Sequence, residues 1–143
     1  MGNCWLIAAI SALAEVPGRI DSIFVNDEIS ENGIYAINMW ALGVPITVYI
    51  DDYLPMNQGD FFYASLDSDY AIWPAILEKA MAKRYGSYDV LDGGWAASGV
   101  SQLNGSPWKH LEHSEIDDID YLWEQLVEAD RRNDIITAGT AGS

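Results

Sequence analysis

The chain predicts an α+β fold, rich in helix and carrying one small β-hairpin. Three observations predict it. An apolar run from Trp5 to Ala14 opens the chain. Two segments of alternating apolar residues follow, Ile34 to Trp40 and Val44 to Ile50. Apolar residues at helical spacing then recur in three later stretches.

Each element has its own justification. Trp5 to Ala14 is apolar nearly all round, which predicts a helix buried on several sides, stopped by Pro17-Gly18. Arg19 to Val25 reads as a short helix or turn with Ile20, Ile23 and Phe24 inward. Tyr35, Ile37 and Met39 alternate with Ala36, Asn38 and Trp40, and Ile46, Val48 and Ile50 alternate with Thr47 and Tyr49. Joined around Leu42-Gly43, they read as a hairpin, and Pro55 prevents further pairing. Asn57 to Asp69 is polar and irregular. Ala71 to Arg84 places Ile72, Ile76, Leu77, Ala80 and Met81 on one helical face, with Lys79, Lys83 and Arg84 toward the C-terminal end. Ala97 to Leu103 predicts a short helix and Ile119 to Arg132 an amphipathic one, with Leu122, Trp123, Leu126 and Val127 apolar. Ile135 to Ala138 reads as the start of a strand with no visible partner, so the chain looks cut there.

The 143 residues suffice for one domain with a real core. Six Trp and eight Tyr suggest deep packing or a cleft with aromatic walls. Twenty-two acids against seven Lys and Arg give a net charge of −15. That balance disfavours nucleic acid and anionic membranes as partners, because both require a basic surface. Cations, basic peptides and basic proteins are compatible with it, and so is a purely solubilising role. No stretch is long enough to insert in a bilayer, and no basic segment precedes the first apolar run, which argues against a signal peptide. Myristoylation at Gly2 meets Leu6 where the motif asks for Ser or Thr.

Cys4 is the single cysteine, so no internal disulfide forms, and a reducing cytoplasmic location fits best. It lies in Gly2-Asn3-Cys4-Trp5, at the start of the first predicted helix. Unpaired N–H groups and a partial positive charge at a helix N-terminus favour thiolate, the nucleophilic form. A small buried hydrophobe is the alternative reading of the same residue. Leu91-Asp92-Gly93-Gly94 is a loop whose paired glycines let backbone lie open to a ligand.

Four blocks, taken in order, resemble the N-terminal half of a calpain-type protease core, a branch of the papain-like cysteine proteases. They are Gly2-Asn3-Cys4-Trp5 with its apolar continuation, Asp51-Asp52-Tyr53-Leu54-Pro55, the helix Trp73 to Lys83, and Tyr85-Gly86-Ser87-Tyr88 followed by Asp92-Gly93-Gly94. The last third is similar only loosely. The resemblance implies the helix-rich N-terminal subdomain of a papain-like core with a small β-hairpin. Residues 1–143 would then be a partial catalytic domain, the nucleophile-bearing subdomain, truncated at both ends. The function it implies is an intracellular calpain-like cysteine endopeptidase acting on protein or peptide substrates.

In that reading Cys4 matches the nucleophile, and its backbone N–H forms part of the oxyanion hole. Gly93 and Gly94 match the turn that hydrogen-bonds an extended substrate, with Gly94 the more direct contact. Trp5 would wall the cleft, or simply pack in the core.

The departures from the family pattern are specific. The second oxyanion donor, a Gln, belongs upstream of the chain's first residues, and the catalytic His and Asn belong to the remaining half of the core, beyond Ser143. His110 and His113 do not match that His and read as surface residues; their spacing could seat a metal, but no further Cys or His supports it. The fragment is therefore expected to be inactive alone. A catalytically dead module that binds peptides or partner proteins is the alternative. No cofactor or metal is expected in this fragment. Calcium, the family's activator, is left for the full-length protein, because Ala71 stands where the helix block carries a Glu. Asp67-Ser68-Asp69 opens like an EF-hand, with Glu78 at its twelfth position, but Ile72 occupies the sixth, where that turn requires Gly. Asn3 replaces the Asp usual before the nucleophile.

Overall fold

The first apolar run folds as helix α1, Cys4–Ala14. The computed structural model describes residues 2–26, 28–58, 60–61 and 71–140. Trp5, Leu6, Ala9, Ile10 and Leu13 of α1 are buried, spaced as one face of a 3.6-residue helix. Cys4, Ala8 and Ser11 form the opposite, exposed stripe. Burial on several sides was the expectation. The small Ala side chains on the outer stripe account for the difference, because they raise hydropathy without requiring a covering layer.

A single 3₁₀ turn, Asp21–Ile23, stands in the predicted Arg19–Val25 segment, with Ile23 buried. Strands β1 (Ile34–Ala41) and β2 (Val44–Asp51) pair antiparallel as expected. Their register sets Tyr35 opposite Ile50, Ile37 opposite Val48 and Met39 opposite Ile46. These residues therefore share one face, and that face enters the core. Leu42 and Gly43 both adopt positive φ, 51° and 79°, the signature of a type I′ hairpin turn. Two-residue strands β3 (Met56–Asn57) and β4 (Asp60–Phe61) pair beyond Pro55. Most of the irregular segment expected at 57–69, including Asp67-Ser68-Asp69, lies outside the described residues.

Helix α2 spans Trp73–Tyr85, with Pro74 in its first turn and Gly86 ending it at φ 103°. Helix α3 spans Ala96–Asn104. α1 packs against both, while α3 lies along β1 and α2 along β2. The core is the volume between them, with Leu6, Ile37, Met39, Leu77 and Met81 fully enclosed. Helix α4, Ile119–Arg131, begins at Asp118, whose side chain accepts from Tyr121 N. No residue of α4 is buried, and Trp123 is 66 % exposed.

Ile135 to Ala138 is irregular, not a strand. The β1 edge facing away from β2 is met at Ile37 by Phe24, where Val25 N donates to Ala36 O. Ile135 instead packs its side chain against the core. The architecture is thus four helices with a two-stranded antiparallel sheet, as the sequence predicts.

Candidate functional site

Cys4 is the first residue of α1 and its side chain is exposed. The helix begins there because Asn3 O accepts from both Leu6 N, at 3.0 Å, and Ile7 N, at 3.2 Å. Among the described residues, no acceptor meets the backbone N–H of Cys4. The thiol therefore sits beside an unfilled donor at the positive end of α1, on the stripe that faces solvent.

The paired glycines come to the same place. Gly93 N donates to Gly2 O at 2.8 Å, and Gly2 N donates to the Asp92 carboxylate. The segment entering the nucleophile helix is thus tied to the glycine turn along its backbone. Gly93 adopts φ 83°, a left-handed conformation that side chains resist. Gly94 is a glycine for a different reason: a Cβ there would lie 2.5 Å from Trp5 Cε2.

Trp5 lies beneath that turn. It is 9 % exposed, and its indole Nε1 donates to Leu91 O at 2.8 Å. The ring also approaches Gly99 of α3. The buried indole of Trp5 thus supports the glycines from below.

Two associations here had no signal in the sequence. Asn3 Nδ2 donates to Glu78 Oε1, across 75 residues, and Glu78 is buried in α2. Trp95, next to Gly94, packs against His110 with ring centroids 4.4 Å apart and planes tilted by 55°. His110 also lies 3.4 Å from Glu112 Oε2. His113 is exposed, in a 3₁₀ turn at His113–Glu115.

The acids group elsewhere. Asp51 accepts from Lys79 Nζ at 2.5 Å, and this bond, helped by Tyr53 N, holds its carboxyl below the usual carboxylate range. Asp51 is the last residue of β2, and Asp52 N, just past it, donates to Gly33 O at 2.9 Å. Among the described residues, no three His, Cys, Asp or Glu side chains gather as a metal site would require. Ala71, where the family resemblance leads one to expect an acid, offers no side-chain oxygen. A separate concavity of about 230 Å³ lies among Trp40, Arg84, Gln102 and Trp108, and Cys4 is not part of it.

A family model described as calpain family cysteine protease matches residues 1–143. Among curated proteins, the calpain-type cysteine protease ADL1 of Oryza sativa subsp. japonica is 31% identical over 146 residues. That match covers 98% of this chain and 7% of the rice protein. The calpain-1 catalytic subunit of Homo sapiens is 29% identical over 141 residues, covering 95% of this chain and 19% of the human one. The human calpain-2 catalytic subunit is 34% identical over 119 residues, 78% of this chain and 17% of that subunit. The chain thus spans less than a fifth of the length of each of these relatives.

Proposed function

We infer, from the premise that this chain belongs to the calpain family of cysteine proteases, that it is the nucleophile-bearing part of a longer calpain-like cysteine endopeptidase. The single observation that carries the proposal is the tie between the glycine turn and the residue pair preceding an exposed thiol at a helix N-terminus. Cys4 Sγ attacks the scissile carbonyl carbon as thiolate. The Cys4 N–H donates to the oxyanion that develops. The Gly93-Gly94 backbone pairs with an extended peptide, which reads main chain and tolerates varied side chains. The amine leaves as the acyl-enzyme forms, and water then hydrolyses the thioester.

A general base must take the thiol proton and pass it to the leaving amine. His110 packs against Trp95 and His113 lies in the surface turn at 113–115, so neither is assigned that task. The base and its orienting partner come from the remaining half of the core, and this chain alone is inactive. Calcium enters no step here; activation by calcium is proposed for the longer protein only. No helix among the described residues is long and apolar enough to cross a membrane. A cytoplasmic location is proposed from the lone thiol.

The test is turnover of a casein or peptide substrate by the full-length protein, with Cys4→Ala as control. Turnover that survives the substitution ends the proposal. A second reading, a module that binds peptides without cleaving them, is favoured by the Ala71 substitution. It predicts peptide binding that Cys4→Ala leaves intact and no cleavage by the full-length protein.

A further inference from the structure

The geometry points to Glu78 as a positioning residue for Cys4, acting through Asn3. This rests on the protease reading above and adds to it a residue that neither the Cys nor the glycine motif contains.

Asn3 occupies the N-cap of α1, a position where an Asn side chain ordinarily accepts from the second or third N–H of its helix. Here it makes no such bond. Its amide instead turns to the α2 carboxyl of Glu78, which is 1 % exposed. A helix N-terminus has thus given up its side-chain cap while a buried acid has gained a donor. Buried carboxyls require such donors, so Glu78 holds the amide firmly.

Two consequences reach the thiol. The main chain of Asn3 sets the first turn of α1, since its carbonyl accepts from Leu6 and Ile7. Fixing its side chain therefore fixes the direction of the next N–H, that of Cys4. The diversion also keeps the Asn3 amide oxygen off the helix tip, where its negative end would oppose both thiolate and oxyanion. With Gly2 bound to Asp92 and Gly93, the two residues before the nucleophile are held from both sides. One side is the glycine turn and the other is α2.

The experiment uses the full-length protein and steady-state kinetics on a peptide substrate. Glu78→Leu and Asn3→Ala are each expected to lower kcat at least tenfold, with KM within twofold. The double variant should fall no further than the worse single variant, because the Asn3–Glu78 contact is already lost in each. Glu78→Gln keeps an oxygen acceptor for the Asn3 amide and should recover most of the kcat lost in Glu78→Leu. Losses that multiply in the double variant, or wild-type kcat in Asn3→Ala, overturn the assignment. Should Glu78→Leu fail to fold, Asn3→Ala decides alone, since Asn3 is only partly buried. A wild-type protein without Cys4-dependent turnover sinks the protease reading instead. The clasp is then judged by iodoacetamide alkylation of Cys4, expected to be at least threefold slower in Asn3→Ala; an unchanged rate refutes it.

Discussion

Replacing Gly94 by Ala should destabilise the protein far more than the added methyl suggests. The new Cβ would lie 2.5 Å from Trp5 Cε2, 2.6 Å from Cδ2 and 2.9 Å from Nε1. Those are ring atoms, so the indole must move as a unit. It cannot move freely, because it is 9 % exposed and bonded through Nε1 to Leu91 O at 2.8 Å. Overpacking of this kind costs about 1–3 kcal/mol, and a lost indole hydrogen bond adds about 1 kcal/mol. Some 2–4 kcal/mol is therefore at stake, roughly 5–15 °C in Tm for a domain of this size. Gly93→Ala is the internal control. Its φ of 83° imposes backbone strain of about 1–2 kcal/mol, but no atom lies within 4 Å of the added Cβ. Urea unfolding followed by tryptophan fluorescence measures both. Gly94→Ala should have the lower midpoint of the two. A Gly94→Ala midpoint equal to wild type, or above that of Gly93→Ala, would refute the reasoning that the turn rests on the indole.

Three further outcomes follow from burial and charge. Leu6→Ala, at a fully enclosed α1 position, should cost about 2–5 kcal/mol in the same unfolding assay. Trp123→Ser, on a helix with no buried residue, should change stability by less than about 0.5 kcal/mol despite the larger side chain removed. Asp51 is held below its ordinary value of 3.8, chiefly by Lys79, so its contribution is complete above that value and is lost as pH falls through the lowered one. Asp51→Asn should therefore reduce the stability difference between pH 6 and pH 2.5, measured by thermal melts at the two pH values.

Local pattern made most of the fold legible. Alternation at Tyr35, Ile37, Met39, Val48 and Ile50 gave the hairpin and its inward face, because a strand's side chains reverse at each residue. Gly86 and Gly105 mark the ends of α2 and α3 through their left-handed backbone, as punctuation in the sequence suggests. Hydropathy misled where side chains were small. The outer stripe of α1 reads as apolar through Ala8 and Ala12, yet Cys4, Ala8 and Ser11 face solvent. Ile135 to Ala138 is irregular because periodicity registers only a side-chain preference, and here Ile135 spends its side chain on the core without pairing its backbone.

The candidate site divides along the same line. Cys4 and the glycines could be singled out one by one, because helix start and turn chemistry are written in adjacent residues. What joins them could not. The Gly93–Gly2 bond, the Trp5 indole under Gly94 and the Asn3–Glu78 contact each link distant parts of the chain. Asn3 illustrates the point most sharply. From sequence it is only the residue that replaces an Asp before the nucleophile, and the folded chain alone shows that it stands at the helix N-cap with its amide committed to α2. A local rule broken with a visible compensating contact marks a residue whose side chain serves something other than its own helix. Here that contact lies one residue from the sole thiol. The nucleophile's surroundings are thereby built from three separated segments, the N-terminal pair, α2 and the 91–94 turn, so a disturbance in any of them reaches Cys4 without touching it.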